Sequence, residues 1–254
     1  MPKPQTPNVC ALCHKPAALC RSHVYPKFTF KRMKAAEGHF LKFSSARPKE
    51  SGVPLHDDCA EHLLCLACEG RLQRWEDYFD AQVSAGVFDH LAPDPGNQYT
   101  WVQLDYVPTR LFLLSLLWRA HAAKSRNFQN VDLGSKHGEA LRQMLLSGNP
   151  GEPWQYQCVI SIPFIRLDGV VVHRPAVSMM PDVVRFSGVH GLRVSRFHLD
   201  GIFFNFVIGS DEVLHRFGPA GGFIQKSGRC IVGVTEAAGI NFLAEAFTKT
   251  FFGN

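Results

Sequence analysis

Apolar residues recur at three- and four-residue steps after position 68: Leu72, Trp75, Phe79 and Val83 make one stripe, the period of an amphipathic helix. The stripe reads as core, with Glu69, Gln73, Glu76 and Asp77 falling largely on other faces. From Pro108 to Ala123 the chain is apolar nearly all round, which predicts a buried helix. A further helix is expected near Ser135–Leu146, stopped by SGNPGEP. Beyond it the runs YQCVISIPFIRL, GVVVH, GLRVSRFHL and GIFFNFVIG, broken by Gly and Pro, read as strands. The closing stretch TEAAGINFLAEAFTKTFF carries a Thr cap and helical spacing of Phe242, Ala246 and Phe247.

The pattern predicts an α+β protein with a change of character near residue 92. The first 90 residues are dense in Cys, His and Lys, and the turn-rich LAPDPGNQY (Leu91–Tyr99) follows as the boundary of a zinc-binding module over residues 1–92. Residues 93–254 form the second part, an α+β domain whose role the pattern leaves open. An apolar fraction of 46% and a charged fraction of 19% exclude a disordered chain. Net charge is +5, a mild excess compatible with a nucleic-acid partner. The longest apolar run, Leu111 to Trp118, is too short to span a bilayer. The N-terminus lacks the apolar core of a signal peptide, so no membrane partner and a cytoplasmic location are expected.

Eight cysteines sit at 10, 13, 20, 59, 65, 68, 158 and 230, six of them within the first 68 residues. In a reducing compartment that clustering points to metal rather than disulfides. Cys10-x-x-Cys13 and Cys65-x-x-Cys68 supply the four thiolates of a tetrahedral structural zinc site. A redox dithiol would call for a thioredoxin-like context, which is absent. Four thiolates close the shell, so any chemistry must lie beside the zinc. Cys20 and Cys59 are left over; a second site with His23, His56 or His62 is the weaker alternative. Cys158 and Cys230 read as buried thiols, and His173, His190, His198 and His215 as structural or surface residues.

Between the knuckles lies the run Ser22-His23-Val24-Tyr25-Pro26, and Glu69 follows the second pair directly. With the two C-x-x-C pairs, this arrangement resembles the HNH endonucleases of the ββα-metal, treble-clef type, over about the first 80 residues. The resemblance implies a nuclease in which His23 is the general base. It implies a divalent ion, Mg²⁺ or Mn²⁺, held from positions 22 and 69, with Glu69 as a hard-oxygen ligand. Glu76 would assist by binding through water or by orienting His23. By the same analogy the substrate is nucleic acid, DNA ahead of RNA. Two positions depart from the family: Ser22 stands where Asp or His is usual, and the Asn expected before the second pair is missing, with His62 the nearest polar substitute. Those departures keep a second expectation open, a zinc-stabilised module that binds nucleic acid or protein without cutting.

Just after His23, KFTFKRMK interleaves Phe28 and Phe30 with Lys27, Lys31, Arg32 and Lys34. The cations would meet phosphates. The phenylalanines either stack on bases or enter the core. Arg119, Lys124 and Arg126 form a second basic set, expected to complement the C-terminus of the buried helix.

Overall fold

The computed structural model describes residues 8–31, 40–43, 53–55, 59–89, 91, 99–167, 170–173, 179–181, 184–187, 193–216 and 221–236. Cys10–Cys13 form a tight turn, closed by a bridge between Val9 and Pro16. Strand β1 (Leu19–His23) then pairs antiparallel with β4 (Ala60–Cys65). Helix α1 (Leu66–Ser84) starts on the residue after Cys65, completing the knuckle, hairpin and helix order of a ββα zinc module. The long insertion between the paired strands contains β2 (Phe40–Phe43) and β3 (Val53–Leu55), which form a small sheet with β8 (Met179–Pro181).

The remaining elements build a seven-stranded sheet and three helices. Strand β5 (Tyr99–Gln103) lies beside β12 (Arg229–Glu236), followed by β6 (Cys158–Leu167), β11 (Ile202–Ile208), β10 (Arg193–Leu199) and β9 (Val184–Ser187). β7 (Val170–His173) pairs with β6. Among the described residues of this sheet, the β12–β6 pairing is the parallel one; strands distant in sequence, with no tight turn between them, can pair in that direction. β10 and β11 are joined through Asp200 and Gly201, with φ of 52° and 72°. That Asp-Gly pair suits a two-residue hairpin, whose turn needs two left-handed residues.

Helix α2 (Tyr106–Ala122) is the central post. Every residue from Thr109 to Ala120 is buried, as expected for a helix apolar on all sides. Helix α3 (Gly134–Ser147) ends at Gly148 with φ 72°, the left-handed cap that glycine adopts at little cost. The loop after it is tied down by Arg110, whose buried guanidinium donates to the carbonyls of Pro150, Glu152, Gln155 and Tyr156. A short helix α4 (Asp211–Arg216) follows β11.

One hydrophobic cluster runs from Cys10 to Val232 and includes both parts of the chain. Its seam is aromatic: Phe79 of α1 stacks on Phe112 of α2 at 4.2 Å, and both meet Phe204 of β11 edge-on. The segment carrying the four clustered cysteines and the sheet are therefore packed on the same post.

Three expectations are corrected here. Glu76 does not sit on a solvent face of α1; it is buried with Leu72, Phe79 and Val83, because it lies four residues after Leu72 and three before Phe79. Arg119 does not merely complement the end of α2; it is buried and paired, as described below. Thr235 and Glu236 belong to β12 rather than to a helix start; the rest of that expected helix lies outside the described residues. Phe28 and Phe30 turn inward, Phe30 against His23 and Phe28 against Phe112.

Phe112 is wholly buried between two aromatic partners, so Phe112→Ala should cost about 3–5 kcal/mol through lost burial and the cavity left behind. Urea denaturation would measure it, and a loss below about 1 kcal/mol would mean the seam is not packed as described.

Candidate metal centre and adjoining polar cluster

The metal-competent group among the described residues is Cys10, Cys13, Cys65 and Cys68, whose sulfur atoms all lie within 4.8 Å of one another. Cys13 Sγ and Cys65 Sγ are 3.9 Å apart, close to the ~3.8 Å separation that tetrahedral bonds of ~2.3 Å to one zinc ion would give. Local structure explains the convergence. The turn at 10–13 closes by hydrogen bonds from His14 N–H to Cys10 O and from Cys10 N–H to Lys15 O. Ala11 N–H donates to Leu63 O at 3.0 Å, tying this knuckle to β4. Cys65 is the N-cap of α1 and Cys68 lies within its first turn, where the helix dipole favours negative charge.

The protein's own groups pull the thiols in opposite directions. Burial raises the Cys10 thiol, but backbone N–H groups of Cys13, Cys65 and Leu12 outweigh it and lower it to about 7. The Cys68 thiol is pushed far up, first by burial and then by the three neighbouring sulfurs. Four crowded sulfurs cannot all ionise on their own, whereas a bound dication compensates the charge of all four. The donor set thus fits zinc, with no further position in the shell for water. Cys20 and Cys59 stand outside this group. Cys59 is buried, its Sγ 3.7 Å from Asn127 Nδ2, while Cys20 pairs with Leu64 in the hairpin.

Beside the four cysteines lies a second, polar cluster. Ser22 is wholly buried, and its hydroxyl donates to Glu69 Oε2 at 2.7 Å while accepting from Leu64 N–H at 3.2 Å. The residue before the candidate base and the residue after the second cysteine pair, 47 positions apart, are thus in direct contact. Side chains alternate along a strand, so the His23 ring leaves β1 on the other face, where it meets Phe30 edge-on at 6.2 Å.

Glu76 joins neither face. Its carboxylate is 2.5 Å from Arg119 Nη2. Burial pushes its carboxyl above the ordinary range, and Arg119 partly offsets that. The same guanidinium donates from Nη1 to the backbone carbonyl of His23 at 2.6 Å. Removing either partner would strand a buried charge, a change of about 3–5 kcal/mol. Arg119 escaped the sequence reading as a site residue, although an arginine inside a mostly apolar helix, like Arg110 nine positions earlier, was a usable signal.

The other expected residues fall into place individually. Lys27 and Lys31 are exposed on a helical turn at residues 27–31; Arg32, Lys34, His56 and His190 lie outside the described residues. His62 is exposed, with Nδ1 3.2 Å from Leu19 O, and does not join the Ser22–Glu69 pair. His198 is buried against Phe203, and His215 stacks on Trp154. No helix among the described residues is long and apolar enough to cross a membrane. Compared with protein-family models, curated proteins and solved structures, the chain matches none.

The purified protein should carry one zinc per chain by elemental analysis, and Cys68→Ser should lose it. Because protons compete with metal for thiolates, zinc retention should fall as pH is lowered from neutral. Zinc held unchanged by Cys68→Ser would remove this residue from the ligand set.

Proposed function

We propose that the zinc-held hairpin and helix form a metal-dependent endonuclease centre of the HNH-like type, hydrolysing nucleic-acid phosphodiesters, DNA ahead of RNA. The observation that carries the reading is the contact between Ser22 and Glu69 at 2.7 Å beside the four cysteines. Positions 22 and 69 are those from which the HNH-like arrangement holds its ion, and here the two side chains meet in a hydrogen bond. When bound, Mg²⁺ or Mn²⁺ would stabilise the charge developing on the phosphate and leaving oxygen. Glu69 offers a carboxylate for it, and a single carboxylate suits an ion that keeps several waters and takes the rest from phosphate. His23 then accepts the proton of the attacking water. Lys27 and Lys31, four residues apart on one exposed face, would contact the substrate backbone.

A second reading, a non-cutting nucleic-acid-binding module, draws on two features of the same cluster. Ser22 is buried and spends its hydroxyl proton on Glu69, and His23 points away from that pair. Salt-sensitive binding without cleavage is what this reading expects.

Plasmid, single-stranded DNA and RNA should be incubated with the zinc-loaded protein plus Mg²⁺, Mn²⁺ or EDTA. The nuclease reading expects divalent-dependent cutting that falls at least about 100-fold in His23→Ala and in Glu69→Ala, as loss of a general base or metal ligand requires. Full activity in folded His23→Ala would place the base elsewhere, and an inactive wild type that still binds would favour the module.

A further inference from the structure

Resting on the nuclease reading of His23, we propose that Arg119, supplied by α2 from outside the zinc-binding segment, is the positioning residue for this histidine. Glu76 is its counter-ion. The argument begins with the location. His23 is the last residue of β1, and the chain bends immediately after it at Val24 and Tyr25. β4 pairs with the strand through Ala60, Val24 N–H donates to Cys59 O at 3.0 Å, and Arg119 Nη1 takes the His23 carbonyl at 2.6 Å. With the backbone held on both sides of His23, the direction of its Cα–Cβ bond is fixed, and ring placement is set by the two side-chain torsions. Phe30 limits those from one side.

The arginine is itself held on three sides. Nε donates to Ser115 O of its own helix, Nη2 meets Glu76, and Nη1 meets His23. Arg119 is 1% exposed and Glu76 5%. A buried ion pair gives little net stability over apolar residues of similar volume, so packing alone does not account for it. A planar fork, by contrast, joins two acceptors in fixed geometry, which a lysine cannot do. The three elements joined are α1, which begins on the zinc ligands, α2, the central post, and β1, which carries the candidate base. The centre is therefore completed by a helix from the second part of the chain.

The test uses the full chain. Glu76→Leu/Arg119→Met removes both charges together and the donor to the His23 carbonyl with them, so it leaves no stranded charge and should retain zinc and fold. Arg119→Lys is a second variant, which keeps a positive charge beside Glu76 without the fork. Ring signals from histidine-labelled protein, with His23 assigned by its absence in His23→Gln, report ring placement independently of catalysis. The expected result is one sharp His23 signal in wild type that shifts or broadens in both variants, with zinc content unchanged. Turnover should fall about 100-fold with KM within about twofold, because misplacement by an ångström costs that much. An unchanged His23 signal in a folded variant overturns the proposal whether or not the wild type cuts. A wild type that does not cut, with a His23 signal that still moves in the variants, sinks the nuclease reading and leaves the positioning role standing.

Discussion

Four sulfurs within 4.8 Å of one another are the constraint on which the N-terminal third depends. Burial first, and the neighbouring sulfurs after it, push the Cys68 thiol up, and a bound dication would offset both by compensating the charge of the thiolates. A metal held there would substitute for a core that a short, turn-rich segment could not build alone. It would also permit the long insertion between β1 and β4, because closing a longer loop costs only slowly more once its ends are clamped. Fixing the start of α1 at Cys65 brings Glu69 to Ser22 and turns Glu76 toward α2.

The second part of the chain extends this arrangement. Phe79, Phe112 and Phe204 form a seam through α1, α2 and the sheet, and Arg142 of α3 reaches back to the carbonyl of Leu12 in the first knuckle. Glu61 of β4 accepts from the N–H groups of Lys124 and Ser125 just after α2. Polar ties of this kind have directional demands that apolar packing lacks, so they set the orientation of the hairpin against the post.

Much of this was legible before any coordinates. The paired C-x-x-C spacing carried the four-cysteine cluster because two residues between sulfurs suit one tetrahedral ion. The stripe through Leu72, Phe79 and Val83 and the all-apolar run of α2 carried both helices, since periodicity is a local signal. What was hidden was non-local. Glu76 falls in the middle of the apolar stripe by simple spacing, yet a carboxylate there reads as an error until its partner is known. Arg119 is that partner, 43 residues later in the chain, and only the packing of α1 on α2 brings the two together. Strand β5 escaped for a similar reason. Tyr99 to Gln103 is short and half exposed, and it becomes a strand by pairing with residues 229–233.

X-ray absorption at the zinc edge tests the central claim most directly, that a closed four-thiolate ion organises this part of the fold. The account predicts a first shell of sulfur alone, four atoms at about 2.3 Å. A nitrogen or oxygen ligand in that shell, or fewer than four sulfurs, would contradict it and would move the zinc itself from the scaffold to the chemistry.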